Sequence, residues 1–118
     1  MTANATYTED RPWGNFAVLQ DMPHYKLKVL TVAPNRQLSL QMHYNREEHW
    51  IVSKGNPHIT VGEKTWQAST GEYIHIPKES KHRLSNFTDE MVEIIEVQQG
   101  SSFSEEDIVR FEDDYQRA

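Results

Sequence analysis

Cysteine is absent from the 118 residues, which removes thiolate metal sites, dithiol redox chemistry and a thiol nucleophile together. Any metal held by this chain is therefore held through nitrogen and oxygen. No apolar run approaches the roughly 20 residues that a membrane span requires. The N-terminus also lacks a basic region followed by an apolar stretch, so neither anchoring nor export is expected and the reading is a cytoplasmic protein. Basic excess is missing too: 12 Lys and Arg stand against 18 Asp and Glu, a net charge of −6. The acid is concentrated in Glu105-Glu106-Asp107 and Glu112-Asp113-Asp114. That argues against nucleic acid as a partner, while a few focused arginines can still bind a small anion. Nothing signals a second domain, an internal repeat or a low-complexity segment, and the length supports one core without disulfides.

Residues 1–10 are polar and read as an N-terminal arm. Residues 11–118 read as a single domain, opened by Arg11-Pro12-Trp13-Gly14. Residues 16–19 are a short apolar run, and over 25–32 Tyr25, Leu27 and Val29 alternate with Lys26 and Lys28, as in a strand. After a turn at Pro34-Asn35-Arg36, Leu38, Leu40 and Met42 take one phase and Ser39, Gln41 and His43 the other. This predicts an apolar core face backed by a chemical face. Further β-rich runs follow, punctuated by Lys54-Gly55-Asn56-Pro57, Gly62-Glu63-Lys64 and Thr70-Gly71-Glu72. Many short strands between turns predict an all-β sandwich or small barrel able to hold a ligand in its mouth. Near the end, Ser104 followed by Asp107 has the form of a capping box, so a short C-terminal helical turn is expected, with a strand over 108–111 as the alternative.

The densest chemistry runs from Gln41 to Trp50 and is completed by His82. Gln41 and His43 share a phase. Glu48 lies an odd number of residues beyond His43, so a bend over residues 44–47 must reset the phase if all three are to converge. Two imidazoles, a carboxylate and an amide oxygen suit Zn²⁺, with Mn²⁺, Ni²⁺ or Fe²⁺ as alternatives, and leave coordination positions open. The same set also fits a non-haem iron oxygenase. Among the six histidines, His24 and His58 beside turns read as surface or hydrogen-bonded residues. His49 reads as a packing or supporting residue, and His75 as either cavity-lining or core. Arg46, in the bend, is placed to reach the cavity mouth and grip an oxyanion. Arg110 sits in an acidic tail, where a salt bridge to Glu106 or Asp113 is the simpler reading.

The run Leu38-Ser39-Leu40-Gln41-Met42-His43, with Arg46, Glu48-His49-Trp50, Ile76-Pro77, His82-Arg83-Leu84 and Asn86, resembles the cupin domain of type II phosphomannose isomerases. The likeness extends from Arg11-Pro12-Trp13-Gly14 through Tyr25-Lys26-Leu27-Lys28 to residues 96–98 and 107–113. It implies a double-stranded β-helix, or jelly-roll, with Gln41, His43, Glu48 and His82 as metal ligands. Arg46 and Arg110 match arginines of the family's motifs. The implied reaction interconverts mannose 6-phosphate and fructose 6-phosphate through an enediolate, in a homodimer; the base is open among His75, Lys28 and Glu47. The chain departs from the family at Tyr44, Asn45 and Glu47, at His75 where tyrosine is common, and at Glu79 where cupins carry glycine. The nucleotidyltransferase domain that often precedes this cupin is not in these residues, so a stand-alone isomerase is expected. The alternative is a non-catalytic cupin that binds a sugar phosphate or partners a separate guanylyltransferase.

Overall fold

Twelve strands form between Tyr7 and Glu112, and no helix occurs among the described residues. The structure, a computed structural model, describes residues 7–115. In chain order the strands are β1 (Tyr7–Arg11), β2 (Gly14–Asp21), β3 (Tyr25–Val32), β4 (Arg36–Gln37), β5 (Leu40–Met42), β6 (Arg46–Lys54), β7 (His58–Val61), β8 (Lys64–Gln67), β9 (Tyr73–Ile76), β10 (His82–Asn86), β11 (Val92–Gly100) and β12 (Val109–Glu112). One sheet runs β1-β2-β3-β11-β6-β9; the other runs β12-β5-β10-β7-β8, with β4 beside β10. The expected all-β double-sheet architecture is therefore present. Residues 7–10 of the expected arm are the edge strand β1, paired along β2; residues 1–6 lie outside the described residues.

Strand register explains how one end of this fold becomes a core and the other a site. Across the inner face of the first sheet, Leu30 opposes Ile94 and Ile94 opposes Val52. These residues join Trp50, Ile59 and Leu84 in a core cluster that is almost fully buried. Each fully buried side chain of this size contributes roughly 1.5–3 kcal/mol. One row along, Lys28 opposes Glu96, which opposes Trp50; one row further, Gln98 opposes Glu48. The inner face thus grades from apolar to charged within three rows.

That gradient sets the phase of two strands, in the second against expectation. In β3 the buried set is Lys28, Leu30 and Val32, while Tyr25, Leu27 and Val29 are half-buried on the outer face. In β5 and its lead-in, Ser39 and His43 are buried, Leu40 and Met42 are half-buried, and only Leu38 joins the core. The polar phase points inward because the interior at this end is lined by charge. The C-terminal helical turn is also absent. Residues 105–107 make a turn in which Asp107 N–H donates to the Ser104 carbonyl at 3.1 Å, and β12 then pairs with β5, Arg110 opposite Gln41. The strand prevails because β5 offers an edge for it to pair with.

Candidate metal centre

His43 follows β5, Glu48 lies on β6 and His82 opens β10; all three are at most 3% exposed. The chain bends at Tyr44 and Asn45, which supplies the change of phase that turns Glu48 inward. Asp107 holds that bend: its carboxylate accepts from the backbone N–H of Tyr44 at 3.0 Å and of Asn45 at 2.9 Å. Its own carbonyl accepts from His43 Nδ1 at 2.6 Å. Asp107 is the residue that sequence reasoning missed here, having been read as half of a capping box. These hydrogen bonds keep its carboxyl below the usual range despite partial burial.

The two imidazoles are oriented alike. His43 Nδ1–H donates to the Asp107 carbonyl, and His82 Nδ1–H donates to the Ser80 carbonyl at 3.0 Å. Each therefore carries its lone pair on Nε2, the arrangement that prepares histidine as a metal ligand. Burial lowers both imidazoles from 6.5 to about 4, assisted at His43 by the Arg46 charge, so both are neutral near pH 7. His43 Nε2 lies 3.2 Å from Glu48 Oε2, and His82 Nε2 lies 3.8 Å from Glu48 Oε1. One ligand atom from each of the three falls within 4.8 Å of the others. His82 Nε2 is buried without a hydrogen-bond partner among the described residues. A buried acceptor in that state is costly, and a cation bridging the three groups would satisfy it.

Three of the four expected ligands, His43, Glu48 and His82, are thus brought together, with Gln41 at one remove. Gln41 opposes His82 across β5 and β10 and lines the same cavity as His43 and Glu48, and its Oε1 accepts from Ser39 Oγ at 3.0 Å. Arg46 lies deeper than a residue at the mouth. It is 5% exposed, its Nε donates to Glu48 Oε2 at 3.2 Å, and its Nη2 donates to the His43 Nε2 lone pair at 3.1 Å. The carboxylate draws the guanidinium inward. Arg110, Lys28 and Arg11 also line the cavity, so four cations surround it in all. Its volume is about 70 Å³, well below the range of enclosed small-molecule sites.

Of the three candidate bases, only Lys28 lines the cavity. His75 and Glu47 lie on the outer face of the sheet, since His75 opposes His49 on β6 and both alternate with inward residues. Lys28 is buried, with Nζ 2.8 Å from Glu105 Oε1 and above the Phe16 ring. Glu105 is held below its usual range by that ammonium, against the opposing effect of burial. Glu96 is a further cavity residue that the sequence reading did not single out. Its Oε1 accepts from Gln98 Nε2 at 2.9 Å, and Trp50 Nε1–H is shared between Glu96 Oε2 and Glu48 Oε1, 3.0 Å from each. Burial, then the nearby Glu48 charge, raises the Glu96 carboxyl far above the ordinary carboxylate range. The available signal was phase: Val92, Ile94, Glu96 and Gln98 share one side of β11.

Comparison with known proteins agrees with this fold. A family profile described as Mannose-6-phosphate isomerase C-terminal matches residues 2–113. The alginate biosynthesis protein AlgA of Pseudomonas aeruginosa is 44% identical over 107 residues, covering 91% of this chain and 22% of that protein. A mannose-1-phosphate guanylyltransferase of Salmonella muenchen is 41% identical over 102 residues, covering 86% of this chain and 22% of that protein. The chain thus spans about a fifth of the length of these relatives. Among solved structures, the capsular polysaccharide assembling protein CapF of Staphylococcus aureus superposes with a TM-score of 0.80 at 18% identity, covering 90% of this chain and 32% of that one. A cupin-2 domain protein of Rhodospirillum rubrum superposes with a TM-score of 0.69 at 20% identity, covering 79% of this chain and 67% of that one, which supports the cupin fold. The chain belongs to the Mannose-6-phosphate isomerase C-terminal family of cupin domains.

Proposed function

We propose that this domain is a divalent-metal-dependent aldose–ketose isomerase that interconverts mannose 6-phosphate and fructose 6-phosphate through an enediolate, with zinc as the metal. The observation that carries the proposal is the unpartnered Nε2 of buried His82 beside His43 and Glu48, which line a cavity together with Arg11, Lys28, Arg46 and Arg110. Family membership favours the sugar-phosphate substrate.

In this reading His43, Glu48 and His82 hold the metal, with Gln41 the fourth protein donor. A divalent ion there supplies Lewis-acid stabilisation of the oxyanion that develops as the sugar is deprotonated next to its carbonyl. The chain's own groups do the rest. Arg110, on the cavity wall, receives the phosphate. Arg46 donates to the His43 Nε2 lone pair and to Glu48; if that lone pair were given to a cation, the guanidinium would be released from His43 and could face the sugar oxygens. Proton transfer between C1 and C2 falls to Lys28 or Glu96, both of which face the cavity; burial raises the Glu96 carboxyl far above the ordinary carboxylate range.

A non-catalytic role as a sugar-phosphate-binding cupin is the second reading, favoured by the fact that the matched relatives are several times longer. Incubating the metal-loaded chain with mannose 6-phosphate separates the two. The isomerase reading expects fructose 6-phosphate to form and chelator to stop it. No product with metal fully loaded, alongside retained binding of the sugar phosphate, would establish the second.

A further inference from the structure

The strand that turns Glu48 inward presents its neighbours outward, and those neighbours meet a histidine from the adjacent strand. Glu47 and His49 flank Glu48 on β6, and antiparallel pairing sets His49 opposite His75 and Ile51 opposite Tyr73. The His49 and His75 rings lie 5.0 Å apart at 17°, nearly parallel. Glu47 reaches both: Oε1 is 3.0 Å from His49 Nε2, and Oε2 is 3.7 Å from His75 Nε2. One ligand atom from each residue lies within 4.8 Å of the other two.

We propose that Glu47, His49 and His75 form a second divalent-metal site, for Zn²⁺, on the outer face of the sheet and back to back with the buried centre. Ligands bonded at about 2.0–2.1 Å in a tetrahedron stand about 3.3–3.5 Å from one another, so the observed 3.0 and 3.7 Å separations need only slight adjustment. The donor set, two imidazoles and a carboxylate, is of the type that binds zinc with one position left open. Solvent reaches that position, because the His75 side chain is 44% exposed. The Tyr73 hydroxyl, 2.6 Å from His49 Nδ1, can accept a hydrogen bond from Nδ1–H and leave the Nε2 lone pair on the side of Glu47. A supporting hydrogen bond of this kind orients metal-bound histidine. The site is independent of the proposed isomerase activity, since none of its residues lines the cavity.

Equilibrium dialysis of the full chain against buffered Zn²⁺, with bound metal measured by elemental analysis, tests the proposal. Wild type is expected to bind two equivalents. His75→Ala, at an exposed position, and Glu47→Gln, at a half-buried one, should each bind one, and His43→Ala should also bind one while keeping the outer ion. Tyr73→Phe should keep both ions but weaken the outer one by roughly tenfold. The proposal is overturned if wild type binds a single equivalent that His43→Ala abolishes, or if either outer-face variant binds as much zinc as wild type. In that case Glu47, His49 and His75 form only a hydrogen-bonded surface cluster.

Discussion

Asp107 shows how much a single side chain can organise. It caps two backbone N–H groups of the bend with its carboxylate and orients His43 with its carbonyl. Asp107→Ala removes the two backbone bonds and leaves the carbonyl, so we expect a loss of about 2 kcal/mol in chemical denaturation. Metal affinity should fall by roughly 10–100-fold, because the bend no longer fixes His43. Unchanged affinity in a direct metal titration would show that the bend is held by other contacts. Glu79 tells a complementary story. Its φ of 62° is a left-handed conformation, the kind that glycine adopts without strain. The departure from cupin glycine noted in the sequence is therefore a residue change without a backbone change. Its N–H still donates to the His43 carbonyl at 2.8 Å.

Among the elements, β6 and β11 decide the geometry, and their far ends are joined by a close approach. Gly100 opposes Arg46, and a Cβ at Gly100 would collide with the Asn45 carbonyl and lie 2.7 Å from Arg46 Cα. Those atoms are backbone and cannot step aside as a side chain can. Gly100→Ala should therefore cost about 1–3 kcal/mol and disturb the bend that turns Glu48 inward. Thermal unfolding measured with and without added Zn²⁺ checks this: the variant should be less stable and gain less from metal than wild type. At this scale the sequence was readable in its strands and misleading in their faces. The alternation in residues 25–32 identified β3, yet the most apolar phase, Tyr25, Leu27 and Val29, lies outside. The inward phase holds Lys28 because the Glu96 and Glu105 carboxylates await it, and neither pairing is visible without the fold. The candidate ligands were legible for the opposite reason. Gln41, His43 and Glu48 are close in sequence, and their required bend could be deduced from parity alone. Glu96 and Asp107 act from distant strands and turns, so only assembly revealed them. Arg46, expected in the bend, opens β6 just after it, and its inward pull by Glu48 depends on burial.

For the whole molecule, the buried charges set a pH dependence. His43 and His82 have folded values of about 4 against 6.5, so below 6.5 the unfolded chain takes up protons that the folded chain refuses. Their contribution to stability is complete above 6.5 and declines as pH falls toward 4. Glu96 acts in the opposite sense, since its folded value is raised above 4.5. Its contribution is complete below 4.5 and is lost as pH rises through the folded value. Between 4.5 and 6.5 the two histidines outweigh the one carboxyl; above 6.5 only the carboxyl varies. Urea midpoints of chelator-treated protein should therefore peak near pH 6.5, with slopes of roughly 1.4 kcal/mol per pH unit for each unbalanced proton. A stability that keeps rising to pH 8 would mean that Glu96 is ionised in the folded state.

The proposed function rests on the buried trio as a metal centre. The most direct test is the metal content of the purified, undialysed chain in a His75→Ala background, compared with the same background carrying His82→Ala. The account predicts close to one divalent ion per chain in the first and almost none in the second, because His82 supplies a direct bond from a fixed, unpartnered Nε2. Equal metal content in the two proteins, or none in either after growth with ample zinc, would contradict it.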